Sequence, residues 1–284
     1  MMDPVAPTMP QGALGLAVAT LLAAVGMAQP AAADDTDLIT SKGYASFGTF
    51  SNESDLQVRL DGSAGNGTDV DWNQTFGNID DMVFRLDGLW RFTEKHHLRM
   101  MYTDFSRERE ATLEEDIDWG DDTILAGSTL GAEFGFSIIE GAYEYALKHD
   151  ENLELALSAG LHWVSTDFKL KYKVLTPGST VTDTLGTSSS TDLPLPVFGG
   201  RALWHMGHDF YLDAMVQWFA LSIDEFDGDL LNYRAAVIWQ PKKWVGIGIG
   251  YDSFDVNLDI DKDKFKGSVE WTYQGPQIFY NVNF

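Results

Sequence analysis

Hydrophobic and polar residues alternate along most of the chain with a period of two. That is the spacing of a strand with one apolar and one polar face, not the 3.6-residue spacing of a helix. Between 84 and 92, Phe84, Leu86, Gly88, Trp90 and Phe92 share one parity, opposed by Arg85, Asp87, Leu89 and Arg91. In 153–163, Leu153, Leu155, Leu157, Ala159, Leu161 and Trp163 oppose Glu154, Ala156, Ser158, Gly160 and His162. The pattern returns in 231–239 (Leu231, Tyr233, Ala235, Val237, Trp239) and in 265–273 (Phe265, Gly267, Val269, Trp271, Tyr273, against Lys266, Ser268, Glu270 and Thr272).

A soluble sandwich also alternates, so run length decides. The runs 129–147, 152–174 and 209–225 far exceed the five or six residues of ordinary globular strands. Strands that cross an outer membrane need about 9–11 residues for the hydrocarbon alone. The connections near 93–97, 148–152, 206–209 and 240–244 are short. Between them lie longer stretches near 62–80, 109–130 and 175–193, then shorter ones near 225–229 and 259–264. Short turns on one side and mostly longer loops on the other predict an all-β fold: a transmembrane antiparallel up-and-down β-barrel. Ten strands are expected, at 43–61, 82–93, 97–108, 130–147, 152–174, 193–206, 209–225, 229–240, 244–259 and 264–284; splitting 43–61 and adding 68–76 gives twelve instead. Trp90, Phe92, Tyr143, Tyr145, Trp204, Trp239 and Trp244 sit near strand ends, where a membrane–water boundary favours aromatics.

Residues 13–28 form an apolar block followed by Ala31-Ala32-Ala33 and Asp34-Asp35. This reads as a secretory signal peptide over 1–33, leaving 34–284 as the exported barrel, although 1–33 contain no Lys or Arg. A buried N-terminal helix is the alternative reading. Across 284 residues, 19 Lys+Arg against 43 Asp+Glu give a net charge of -24, which argues against nucleic-acid binding. The absence of Cys excludes disulfides, thiolate metal sites and thiol nucleophiles. A mean hydropathy of -0.15 without a long apolar run argues against helical membrane spans.

The chain ends in Ile278, Phe279, Tyr280, Asn281, Val282, Asn283 and Phe284, with Ile278, Tyr280, Val282 and Phe284 alternating down to a terminal aromatic carboxylate. This ending resembles the final-strand assembly signal of Gram-negative outer-membrane β-barrel proteins. GTDVDWNQTFG (67–77) and FRLDGLWRFTEKHHLRMMY (84–102) are similar to segments of uncharacterised, porin-like proteobacterial barrels. The resemblance implies an outer-membrane location with both termini periplasmic, as an even strand count also requires. It implies the barrel assembly machinery and periplasmic chaperones as partners during biogenesis, and outer-membrane lipid and lipopolysaccharide as surroundings. It carries no subfamily of known activity, so no functional residues are transferred.

If the apolar parity faces lipid, the lumen is lined by Arg85, Asp87, Arg91, Arg99, Glu140, Glu144, Glu154, His162, Arg201, Asp213, Gln217, Arg234 and Glu270. Such charges either pair and fill the lumen, because unpaired buried charge is costly, or wall a narrow water-filled path. The acidic 109–130 stretch would draw cations to a mouth. Candidates for a divalent ion are Asp116, Asp118, Asp121 and Asp122. A second set is Asp259, Asp261 and Asp263 with Glu270, which has EF-hand spacing but Lys264 where the loop needs Gly. Zinc at His96, His97, His205 or His208 is a further reading.

Gly246, Gly248 and Gly250 repeat every second residue and so line a strand face, making room for bulky lumen side chains rather than cradling phosphate. His162 and Ser165, three apart, share a face only across a bulge, which a parity shift from Trp163 to Phe168, Leu170 and Tyr172 suggests. The ten-stranded omptin proteases work with acidic and His residues at the outer rim, whereas here five of six His fall at the opposite turns. The leading expectation is a narrow, weakly cation-preferring channel for small solutes, without enzymatic activity or cofactor. The alternatives are a non-conducting structural or surface-interaction barrel with acidic loops, and an outer-membrane hydrolase.

Overall fold

A computed structural model describes residues 37–284 except 63–64, 66, 78–80, 121, 175–182, 224–225 and 263–264. The signal-peptide reading of 1–33 therefore lies outside the described residues. Strand β1 (Gly43–Asp61) leads into a two-residue strand β2 (Val70–Asp71) and a short helix α1 (Trp72–Phe76). Next come β3 (Asp81–Arg91), β4 (His96–Thr112) and the small hairpin β5 (Ile117–Trp119) and β6 (Asp122–Ile124). The remaining strands are β7 (Thr129–His149), β8 (Leu153–Val174), β9 (Asp183–Gly207), β10 (Phe210–Ile223), β11 (Phe226–Lys242), β12 (Val245–Lys262) and β13 (Phe265–Asn283).

Ten of these strands pair antiparallel with their neighbours in chain order, and β13 returns to pair with β1, which closes the barrel. The closure reaches the last residue: Gly43 N–H donates to the Phe284 carbonyl at 3.0 Å and Phe284 N–H to the Gly43 carbonyl at 2.9 Å. The twelve-strand alternative fails. Within 68–76 only Val70 and Asp71 pair with β1, and Asp71 then caps α1, its carboxylate accepting from Gln74 N–H at 2.9 Å. The Ser/Thr-rich stretch expected between strands is also shorter than the sequence suggested. Asp183 to Asp192 are strand, registered residue by residue against β8, because uncharged β-branched and hydroxyl residues extend a hairpin as readily as they loop.

The outward faces of the strands carry a band of exposed apolar and aromatic side chains. On β7 it runs from Leu147 through Tyr145 and Tyr143 to Ile139; on β8, from Leu155 and Leu157 to Leu161 and Trp163. The eight steps from Ile139 to Leu147 on β7, at about 3.4 Å each, cover about 27 Å along a strand, the right order for a tilted crossing of hydrocarbon. Beyond Tyr102, Ile139 and Trp163, which are cross-strand neighbours, the outward residues turn polar at once: Asp104, Ser137 and Ser165, then Ser106, Gly135 and Asp167. The inward face changes in the opposite sense. On β7 the buried residues run Leu130, Ala132, Phe134, Phe136 and Ile138, then Glu140, Ala142, Glu144 and Ala146.

The barrel is thus apolar outside and polar inside near the termini, and polar outside and apolar inside at the far end. This corrects two expectations. The apolar parity of 265–273 does not face outward: Trp271 and Tyr273 are buried, while Glu270 is exposed. The parity shift after Trp163 is no bulge, since β7 and β8 keep unbroken register from Thr129↔Lys173 to Ala146↔Ala156. The outer face has crossed from lipid-like to water-like surroundings, so the rule for which parity is greasy reverses.

Candidate functional site

The interior holds two stacked layers. The layer nearer the termini is a network of five arginines and six carboxylates. Arg91 donates from Nε and Nη2 to the two oxygens of Glu154 at 2.8 and 3.1 Å, and from Nη1 to the Ser41 carbonyl at 3.0 Å. Arg201 also reaches Glu154, donates from Nε to Glu144 at 3.1 Å, and has Nη1 3.7 Å from Asp213. Arg99 bridges Glu144 at 2.9 Å and Glu140 at 2.6 Å. Glu140 further accepts from Gln217 at 2.8 Å and lies 3.2 Å from His162 Nε2; Gln217 in turn accepts from Asn232 at 3.1 Å. Arg85 binds Asp87 on its own strand and Asp252 at 2.7 Å, and Arg234 stands 3.6 Å from Asp87.

These bonds span the lumen. From β3, Arg91 reaches β8 past β4 and β7, whereas Arg85 reaches β12 the other way, past β1 and β13. Every charged group of the network is buried. At such burial each carboxylate needs its guanidinium, because removing one partner strands the other without water.

Below the network, the segment before β1 turns into the barrel mouth. The Asp37 carboxylate accepts from Ile39 and Thr40 N–H at 2.9 and 2.8 Å, and this turn drives Leu38 and Ile39 into a fully buried cluster with Leu89, Leu203, Tyr211, Ile238 and Phe279. The inward β12 glycines make room here: a Cβ at Gly248 would lie 2.1 Å from the Phe279 ring, over which Arg234 sits at 5.0 Å.

Above the network lies an aromatic layer. Phe136 meets Trp271 at 4.1 Å between centroids, Phe254 stacks on Tyr273 at 5.0 Å, and His162 stacks on Phe254 at 5.9 Å. Trp271 Nε1 donates to Ser54 Oγ at 2.9 Å, which satisfies its one buried donor. Trp72 and Phe76 of α1, with Ile117 and Ile124 of the β5–β6 hairpin, pack onto this layer as a cap. The hairpin is tied down by Thr68 N–H to the Asp118 carbonyl at 2.9 Å and Gly120 N–H to the Leu60 carbonyl at 3.0 Å.

The structure brings ten of the eleven charged residues read from parity as lumen-lining into this interior, together with His162 and Gln217; Glu270 stands outside, on the exposed face of β13. Asp252 was missed although it shares the inward parity of Gly248 and Gly250, as was the seal by Leu38 and Ile39, which no periodicity marks. Of the acidic candidates for an ion, Asp116 accepts from Ala126 N–H at 2.7 Å and Asp118 from Thr123 Oγ1 at 2.7 Å, so both serve the β5–β6 hairpin. Asp122 lies in β6, and Asp121 lies outside the described residues. Asp259 and Asp261 lie in the paired strand β12, which excludes an EF-hand loop; Asp263 lies outside the described residues. Ser165 faces outward and His162 inward, so they form no dyad. His96 hydrogen-bonds Tyr143 and His205 stacks on Tyr211 at 4.6 Å. Ile278 and Tyr280 point outward, both more than half exposed, beside the closing seam with β1.

No family model matches the sequence, and no curated protein matches it. Among solved structures, the chain is similar to the outer membrane protease OmpT from Escherichia coli, with a TM-score of 0.59 and 9% identity over 85% of this chain and 96% of that one. Matches of low TM-score include Ail, the attachment invasion locus protein of Yersinia pestis (0.31; 11% identity; 83% of this chain, 99% of that one). Another is the Pseudomonas putida toluene transporter TodX (0.36; 9% identity; 90% of this chain, 94% of that one). The chain has the fold of the Gram-negative outer-membrane β-barrels.

Proposed function

We propose that this protein is a non-conducting barrel of the Gram-negative outer membrane, with its termini and short turns in the periplasm. Its capped far end, presented outside the cell, serves surface interaction. The observation that carries the reading is the interior filling. Arg91 ties β3 to β8 and Arg85 ties β3 to β12 through the lumen, each past two intervening strands, and the aromatic layer and its cap lie above them. The narrow cation channel suggested by the charged parity would need Glu140 and Glu144 to face water. Both are instead engaged by Arg99, and by Gln217 and Arg201 respectively.

A hydrolytic role, as in the OmpT protease, finds less support. Five of the six His stand at the terminal end, and His162 is buried against Phe254, away from the exposed rim. The closing strand β13, with Ile278 and Tyr280 outward, fits recognition by the barrel assembly machinery, and the aromatic band fits outer-membrane lipid and lipopolysaccharide.

The test is single-channel recording of refolded protein in planar bilayers, with folding confirmed by heat-modifiable mobility on gels. Silence from folded, inserted protein is expected. Discrete cation-selective steps that change with Glu140→Gln or Glu144→Gln would overturn this reading in favour of the channel.

A further inference from the structure

We propose that His97, His149 and Glu154 form a binding site for a divalent transition-metal ion, zinc by preference, at the terminal end of the barrel. One donor atom from each of the three lies within 4.8 Å of the others. His149 Nδ1 stands 2.7 Å and His97 Nε2 3.9 Å from the same oxygen, Glu154 Oε2. Two imidazoles and one carboxylate are the donor set of three-ligand zinc sites, which keep a fourth position for water.

The local fold shows how this convergence is built. Inward positions on β7 are even-numbered through Ala146, so plain alternation would turn His149 outward. A register shift between Ala146 and Lys148 sets His149 opposite Glu154 instead. Such a bulge re-aims a side chain at the cost of ladder regularity. His97 arrives from β4, between Arg91 on one side and Glu144 on the other. It is fully buried; its Nε2, the nitrogen nearer Glu154, also lies 3.2 Å from the Glu94 carbonyl, whereas Nδ1 has no hydrogen-bond partner and is the nitrogen left to carry the proton when Nε2 binds an ion. Glu154 is held in place by Arg91 and Arg201, the hydrogen-bonded backing that orients ligating carboxylates. His149 is partly exposed, which leaves the site reachable from the terminal end beside the Leu38–Ile39 seal.

The two guanidiniums also select the ion. Their charge disfavours Ca2+ and Mg2+, which need several anionic oxygens. Zinc and its neighbours gain enough from imidazole to bind where net negative charge is small. On entry the ion replaces the proton between His149 Nδ1 and Glu154, leaving the His149 imidazole proton on Nε2, and it displaces the His97 Nε2 proton from the Glu94 carbonyl, that imidazole keeping its proton on Nδ1. Of the four His that the sequence suggested for zinc, only His97 belongs to this group; His149 and Glu154 complete it.

The test is titration of refolded, metal-free protein with Co2+, followed by visible absorption and then by displacement with Zn2+. One equivalent should bind, with His149→Gln and His97→Gln each weakening it at least tenfold and His205→Gln/His208→Gln leaving it unchanged. Heat-modifiable mobility of each variant separates loss of a ligand from loss of the fold, and His149→Gln, at the edge of the barrel, keeps the test valid if His97→Gln misfolds. Folded wild-type protein that binds no Co2+, or undiminished binding by His149→Gln, would overturn the proposal. The readout does not depend on whether the barrel conducts.

Discussion

Arg91 and Glu154 lie on strands separated by two others along the barrel wall, yet their side chains meet at 2.8 Å. Such a bond fixes the width of the barrel as well as the rotamers of two residues, since neither strand can move outward without breaking it. With Arg85 doing the same toward Asp252 at 2.7 Å on the opposite side, β3 acts as a post braced in both directions.

Replacing Arg91 with Met should therefore destabilise the barrel by about 3–5 kcal/mol, the cost of leaving a buried carboxylate short of a partner. Denaturant unfolding in lipid vesicles, followed by tryptophan fluorescence, measures it. A change below about 1 kcal/mol would mean that water reaches Glu154, and the filled-lumen reading would fail with it.

The reversal of the outward face gives a comparison between two positions on neighbouring strands. Leu157 lies in the apolar band and Ser137 just beyond its edge. Leu157→Arg should cost about 2–4 kcal/mol as a charge on the lipid face, and Ser137→Arg no more than about 1 kcal/mol. Equal costs in the same unfolding assay would argue against a band ending at Tyr102, Ile139 and Trp163.

The surface pair Glu133–Lys169, 2.7 Å apart on the far-end exterior, should behave unlike the interior pairs. The hydrogen bond from Lys169 holds the Glu133 carboxyl below its ordinary value. A depressed carboxylate stabilises the fold above its unfolded pKa and loses that contribution as pH falls through the folded value. Both groups are exposed and screened, so Lys169→Ala should leave the unfolding midpoint unchanged at physiological salt. A clear drop at neutral pH that vanishes in acid would show the pair to be more than a solvated contact.

Deleting Phe284 removes the backbone pair with Gly43 that closes the seam, and the outer edge of the β13 pattern. The truncated protein should insert poorly and accumulate in the periplasm or be degraded, as fractionation and heat-modifiable mobility would show. Normal insertion would separate this residue from assembly.

The period-two pattern determined strand identity and the inward parity of Arg85, Asp87, Arg91, Arg99, Glu140, Glu144 and Glu154; together with the lengths of the runs and of the connections it gave ten barrel strands with ends mostly within a few residues. It could do so because strand geometry couples neighbouring residues to opposite faces, which makes face a local property. What lies beyond each face is not local. Only the closed barrel shows that the surroundings change partway along each strand, so that Trp271 and Tyr273 point inward while Tyr280, on the opposite parity nearer the terminus, points outward. Only closure brings Arg91 to Glu154 and a bulge turns His149 toward both Glu154 and His97. Whether charged walls line a pore or bond across it depends on which strands face one another, and residues 63 positions apart along the chain carry no mark of that meeting.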